Sequence, residues 1–364
     1  MNIIGYIKKY GNLSFQEKPL NNVDALILTT LTYLHFELMI DENGSMVVSN
    51  VPDDFIPLLC EGEFTTRSNE KMFRLLKTVK RYRNIEVRYV YSVHDKLNTI
   101  QFFGMTLIIP GYHPFVCYRG TDLTLVGWKE NLMLATNKVV PSQVEVYNYT
   151  NYVSKKINGP FSIGGHSKGG NLALFTAIYS KPDIQERFDK VYVFDGPGFN
   201  DNKIFSSDKY LRVKDKIIQF VPKDDVVGCL LYTPKDKLII KAKSVHFLQH
   251  NPYLWIINRK GDFKYSKKGT RFARVRRRTM MLWINQLTPE DCELMIDKIV
   301  DSLGGIDSTL SYRLRLIALK FKTFISSYFG YSKDVRKRIR KLMLLYFKIW
   351  RESRIYYLKH PKED

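Results

Sequence analysis

Between residues 85 and 121 the chain runs in short segments dense in β-branched and aromatic side chains: IEVRYVYSVH, IQFFGMTLIIPG and FVCYRGT. Segments of this composition predict strands, and the short breaks between them predict antiparallel pairs that open a sheet. Ahead of them, VDALILTTLTYLHFELMI (23–40) predicts a helix whose apolar face packs inward, and NEKMFRLLKTVKRY (69–82) predicts a second. After residue 121 the rhythm changes to strand–helix alternation. Helices are expected over 122–135, 142–157 and 168–180, and strands over 160–165, 190–196, 216–222 and 237–244. Such alternation argues for an α/β fold with a largely parallel central sheet covered on both faces.

From about residue 266 the pattern shifts. SKKGTRFARVRRRTMM carries seven basic residues and no acid, and TPEDCELMIDKIVDSLGG (288–305) reads as an acidic helix capped by Thr288. LRLIALKFKTFISSYF and VRKRIRKLMLLYFKIW continue in helical periodicity. The expected organisation is an α/β body over 1–265 and a basic, helical C-terminal region over 266–364.

Charge sharpens that division. The 364-residue chain carries a formal net charge of +21, and residues 266–364 account for +13 of it. The plainest reading is a set of helices packed on the body with a solvated basic face. A basic amphipathic helix also suits an anionic membrane surface. The chain contains no recognised DNA- or RNA-binding module, so a nucleic-acid partner is not expected. Cys60, Cys117, Cys229 and Cys292 form no CxxC pair and the histidines no HExxH, which gives no reason to expect a metal site or a disulfide framework. The N-terminus MNIIGYIKKYGNLSF lacks a continuous apolar leader segment, and no run approaches the roughly 20 apolar residues of a membrane span. These features suggest a cytoplasmic protein, soluble or peripheral on the inner face of the membrane.

The candidate chemistry lies in GGHSKGGNLA (164–173). Gly165-His166-Ser167-Lys168-Gly169 satisfies G-x-S-x-G between an expected strand and an expected helix, the setting of a nucleophile elbow. Ser167 is the candidate nucleophile. The backbone N–H of Lys168 is a candidate oxyanion donor, while its side chain could point to solvent or meet an anionic substrate. A second donor could come from Thr121 in YRGTD, where Thr121 or Asp122 could equally cap the following helix. In the order serine, acid, histidine, the base must come from His246, His250 or His360, and only the first two follow the strand at 237–244. For the acid, Asp195 ends KVYVFDG, and Asp224, with Asp225 beside it, follows the next strand. Both sites fall at carboxyl ends of strands, where active sites of open α/β sheets collect.

Taken together, VCYRGTDLTLVGWKENL, IGGHSKGGNLALF, VFDGPGF, VPKDDVVGCLL and QHNPYLW resemble the bacterial Mbeg-type family of α/β-hydrolase-like proteins. More distantly they are similar to class-three (fungal-type) lipases. The resemblance starts at PLNNVDALILTTLTYLHFE and covers about residues 1–300. It implies an α/β-hydrolase fold and aligns the family's Q-H-x-x-x-x-W element with Gln249, His250 and Trp255, favouring His250 as base. The class-three pattern D-x-V would select Asp224, whereas the D-G-P-G-F segment favours Asp195. The expectation is a lipase- or esterase-like serine hydrolase that acts on an apolar or lipid ester without a metal or organic cofactor. The alternative is a non-catalytic binding or scaffold protein on the same fold.

Overall fold

Along the central strands successive side chains enter two different cores. Phe115 and Cys117 lie on one face while Val116 and Tyr118 lie on the other; Tyr192 and Phe194 likewise oppose Val191 and Val193. Burial on both faces is what a covered parallel sheet requires, and it explains the near-continuous apolar composition of these strands. The computed structural model describes residues 1–41, 43–61, 65–121, 127, 130, 133–135, 139–225, 227–302 and 328–361. Most of the expected helix at 122–135 and most of LRLIALKFKTFISSYF lie outside the described residues.

Eight strands form one sheet in sequential order. They are β1 (Ser45–Val47), β2 (Glu86–Asp95), β3 (Ile100–Ile108), β4 (Phe115–Tyr118), β5 (Phe161–His166), β6 (Phe188–Phe194), β7 (Ile217–Pro222) and β8 (Lys237–Ile240). The first four pair antiparallel, as the short breaks predict, and β4 to β8 run parallel. Register aligns their carboxyl ends: Tyr118 pairs with Gly165, His166 with Phe194, and Phe194 with Phe220. One face is covered by α1 (Ile3–Tyr10), α2 (Asn22–Thr30) and α3 (Thr66–Leu76), the other by α4 (Pro141–Ser154) and α5 (Lys168–Tyr179). Beyond the sheet come α6 (Arg271–Ile284), α7 (Pro289–Ser302) and α8 (Lys333–Lys359).

Several elements depart from the expected pattern. The single helix anticipated over 23–40 ends at Thr30 and continues as tighter 3₁₀ turns at Leu31–Tyr33 and Phe36–Leu38. The hydroxyls of Thr30 and Thr32 donate to the carbonyls of Leu26 and Thr29 at 2.7 Å, competing with the backbone for acceptors where the helix stops. Moreover, every residue from Val23 to Thr30 is buried, so α2 is a core helix with no solvated face. The strand expected over 237–244 ends at Ile240. β1 is a short edge strand that no apolar run announced.

The helices over the first face are pinned by a buried charge. Asp24 Oδ1 accepts from Arg81 Nε at 2.8 Å and from the Tyr82 hydroxyl at 2.5 Å. Its Oδ2 accepts from Arg81 Nη2 at 2.6 Å, the Tyr6 hydroxyl at 3.1 Å and the Asn21 N–H at 3.0 Å. Burial, with the Asp24 charge beside them, pushes the Tyr6 and Tyr82 phenols well above their usual range and keeps them as donors. Asp24→Ala would leave the Arg81 guanidinium buried without its counter-ion. A loss of about 3–5 kcal/mol in unfolding free energy is expected, read by urea denaturation.

Candidate active site

The elbow is made by backbone proximity. A Cβ on Gly165 would lie 2.2 Å from the Gly169 carbonyl, and one on Gly169 would lie 2.1 Å from the Tyr118 oxygen. Only glycines let β5, the start of α5 and the end of β4 meet this closely. Between them Ser167 adopts φ 60° and ψ −130°, a region that L-residues occupy only under constraint. Its N–H donates to Phe194 O at 2.9 Å, tying the turn to the end of β6. Gly120 lies against Ser167, since a Cβ there would be 3.1 Å from the serine Cβ, and Thr121 follows it in the chain. Lys168 is the first residue of α5, where a backbone N–H has no intrahelical acceptor.

The structure brings Asp195 and His250 together across 55 residues of sequence. Asp195 Oδ2 lies 2.7 Å from His250 Nδ1, and its Oδ1 accepts the Gly228 N–H at 3.0 Å. A second carboxylate, Asp225, reaches the same nitrogen at 3.3 Å. Among the described residues neither His250 Nε2 nor Ser167 Oγ has a hydrogen-bond partner. Burial disfavours the imidazolium, but Asp195 and Asp225 outweigh it and raise the His250 pKa to about 10. Burial and the neighbouring Asp225 also raise the Asp195 carboxyl well above the usual range. The cluster therefore retains protons. Its ligand atoms lie within 4.8 Å of one another, close enough to hold a small divalent cation. Such a cation would have to displace the Nδ1 proton that now bridges His250 and the carboxylates.

Asp224, the alternative acid, is directed elsewhere. Its carboxylate accepts the Thr270 hydroxyl at the start of α6, its N–H donates to Gln249 Oε1 at 2.9 Å, and its carbonyl accepts from Arg276. His246 has an exposed side chain and packs against Phe272 with ring centroids 5.2 Å apart. His360 follows α8, and its Nδ1 meets the Tyr356 carbonyl at 3.0 Å. The loop carrying His250 is braced by Gln249, whose amide donates to Ser244 O at 2.6 Å, and by Trp255, whose indole donates to Gln249 O at 2.7 Å.

Lys168 corrects the expected solvent-facing or substrate-facing side chain. It turns inward and is almost fully buried, with Nζ 2.8 Å from Glu130 Oε2 and 2.5 Å from Gln101 O. Glu130 also accepts the N–H groups of Ser142 at 2.6 Å and Gln101 at 3.2 Å, so removal of the ammonium would strand a buried carboxylate. Glu130 is the counter-ion that makes the burial of the ammonium tolerable.

Sequence reasoning missed three further participants. His166 is buried, and burial together with the adjacent His250 charge holds its pKa well below the ordinary value, so the ring is neutral. Its Nε2 lies 2.9 Å from the His250 carbonyl, which can only accept; Nε2 therefore carries the proton. Nδ1 must then accept from the Tyr33 hydroxyl at 2.8 Å. Arg119, in the RGT strand end, clamps Glu37 at 2.7 and 2.9 Å and lies 3.7 Å over the Phe103 ring. Asp225 was visible only as the neighbour of Asp224. Each contact joins segments far apart in the chain, and no local motif marks it.

The sheet, the strand–turn–helix at Ser167 and the loops at its carboxyl edge define an α/β-hydrolase fold. The Mbeg1-like family model matches residues 76–301, more than half of the chain, and the chain belongs to the Mbeg1-like family. A crystal structure of M37 lipase is similar over 58% of this chain and 70% of that one, with 16% sequence identity and a TM-score of 0.39. No curated protein matches the chain.

The buried ion pair has a direct test. Lys168→Met should lower unfolding free energy by about 3–5 kcal/mol, measured by chemical denaturation. A change within about 0.5 kcal/mol would indicate a solvent-facing lysine instead.

Proposed function

We infer that the protein is a serine hydrolase that cleaves an acyl ester, with Ser167 as nucleophile, His250 as general base and Asp195 as the acid that orients it. The observation that supports this reading above all is the Asp195–His250 contact at 2.7 Å, made through Nδ1. With Nδ1 occupied, Nε2 is the nitrogen left for the serine. Ser167 Oγ attacks the carbonyl carbon of the ester and its proton passes to His250 Nε2. The tetrahedral oxyanion is received by the backbone N–H groups of Lys168 and Thr121. As the carbon–oxygen bond breaks, His250 returns the proton to the departing alcohol, and water then repeats the attack on the acyl-serine. The substrate class that suits this reading is an apolar or lipid ester, and none of these steps calls for a metal or organic cofactor.

The strained Ser167 backbone, at φ 60° and ψ −130° in the turn between β5 and α5, favours this reading over that of a scaffold. Ser167→Ala should abolish both fluorophosphonate labelling and hydrolysis of a soluble short-chain ester while leaving the thermal midpoint within a few degrees, about what a 0.5 kcal/mol change allows. Full activity in that variant would end the nucleophile assignment.

The second carboxylate gives a pH test. A general base works when unprotonated, and the two acids raise the pKa of His250 to about 10, so turnover should climb with pH into the alkaline range. Asp225→Asn removes one of the charges favouring the imidazolium. The rise in kcat/KM should therefore move to lower pH, and an unmoved profile would remove Asp225 from this role.

A further inference from the structure

We propose that the outer face of α8 docks the protein on an anionic lipid surface. The helix is capped by Ser332, whose hydroxyl accepts the Val335 N–H at 3.3 Å, and it runs for 27 residues. Its inner face is plain from burial: Ile339, Leu342, Ile349, Ser353 and Tyr357 recur at helical spacing. That face packs antiparallel on α6. The Trp283 indole donates to Leu342 O at 3.0 Å, Arg278 lies 3.9 Å over the Tyr356 ring, and Arg274 donates to Pro361 O at 3.1 Å.

The opposite face is apolar and yet exposed. Leu344 is 60% exposed, Phe347 56%, Ile355 43% and Leu358 58%. At 100° per residue these four fall on one stripe, roughly opposite the buried row. Cations share that same face: Arg351 sits within the stripe, and Lys337, Arg340, Lys341 and Lys348 border it. Asp334 and Glu352 are the only acids in the helix. Among the described residues, Lys337, Arg340, Lys341, Lys348 and Arg351 make no ion pair.

An interleaved apolar and cationic face suits a bilayer's anionic interface. The aliphatic and aromatic side chains enter the boundary with the acyl chains, while lysine and arginine stems reach back to headgroup phosphates. Nucleic acid would satisfy the charges but offer no apolar phase to Leu344, Ile355 or Leu358. No helix among the described residues is long and apolar enough to cross a membrane, so the helix would lie in the interface plane.

The C-terminal end of α8 also reaches α6, which contacts the loops around Asp224 and His246. The antiparallel packing carries the Leu358 end of α8 to the start of α6, where Phe272 is 48% exposed against His246. Val245 and Leu248, just before His250, are exposed as well. Thr270 and Arg276 bond α6 to Asp224 beside them. A lipid surface against this region would meet the loop that carries His250.

Co-sedimentation of the full chain with vesicles of phosphatidylcholine alone, or mixed with phosphatidylglycerol, tests the proposal, and it reads docking whether or not Ser167 is reactive. Expected is at least about tenfold stronger binding to the anionic vesicles, weakened by salt. The double variant Leu344→Asp/Phe347→Asp should lose that binding yet hydrolyse a soluble ester at the parent rate and keep its thermal midpoint. Equal affinity for both vesicles, no binding to either, or unchanged binding by the folded variant would overturn the proposal. So would capture of a short DNA or RNA duplex without vesicle binding, or a concentration-dependent dimer abolished by the same substitutions.

Discussion

The structure depends on three stretches of backbone coming closer than side chains would allow. Gly165 lies on Gly169, Gly169 lies on the Tyr118 carbonyl, and a Cβ on Gly170 would lie 3.0 Å from the Gly196 Cα. These contacts hold the end of β4, the β5–α5 turn and the loop after β6 in one plane of approach. Ser167 and Asp195 both sit at positive φ there, at 60° and 50°. Strain of this kind costs roughly 1–3 kcal/mol per residue and persists only where the surroundings over-determine it. The surroundings do so here: α5 is buried along nearly its whole length, and Asn171 on it donates to Gly198 O at 2.8 Å, fixing the loop that starts at Asp195.

Around this frame three buried or nearly buried charges are held with their counter-ions. Asp24 with Arg81, Glu130 with Lys168 and Glu37 with Arg119 are each joined by short contacts inside or at the edge of the core. At the site the balance differs, because His250 faces two carboxylates. Two acids for one imidazole make the group hold its protons, and this couples whatever the site does to pH. Neutral His166, held between Tyr33 and the His250 carbonyl, adds no charge and instead fixes where the His250 backbone lies.

The C-terminal helices contact the loops around the candidate site directly. Asp224, which a sequence motif could nominate as an acid, instead accepts the N-cap of α6 and so joins the basic region to the loop beside His250. The outward face of α8 mixes exposed apolar side chains, Leu344, Phe347, Ile355 and Leu358, with lysines and arginines.

Much of this was legible in the sequence, for reasons of range. Strand alternation, the strand–turn–helix at Ser167 and the glycines of GHSKGG depend on neighbours a few residues away, so the pattern of side chains alone determined them. The order serine, acid, histidine left Asp195 or Asp224 and His246 or His250 open, and only the family resemblance favoured Asp195 and His250. What tertiary structure decided was the direction of side chains whose partners come from distant segments. Lys168 turns inward because Glu130 and the Gln101 carbonyl lie beneath it. Asp225 rather than Asp224 shares His250, because consecutive residues in that turn face opposite ways. The helix from 23 breaks at Thr30 because threonine hydroxyls take carbonyls in a segment that the core surrounds completely. Local patterns specify local geometry, whereas the pairing of a buried charge is chosen only when the whole chain has closed around it.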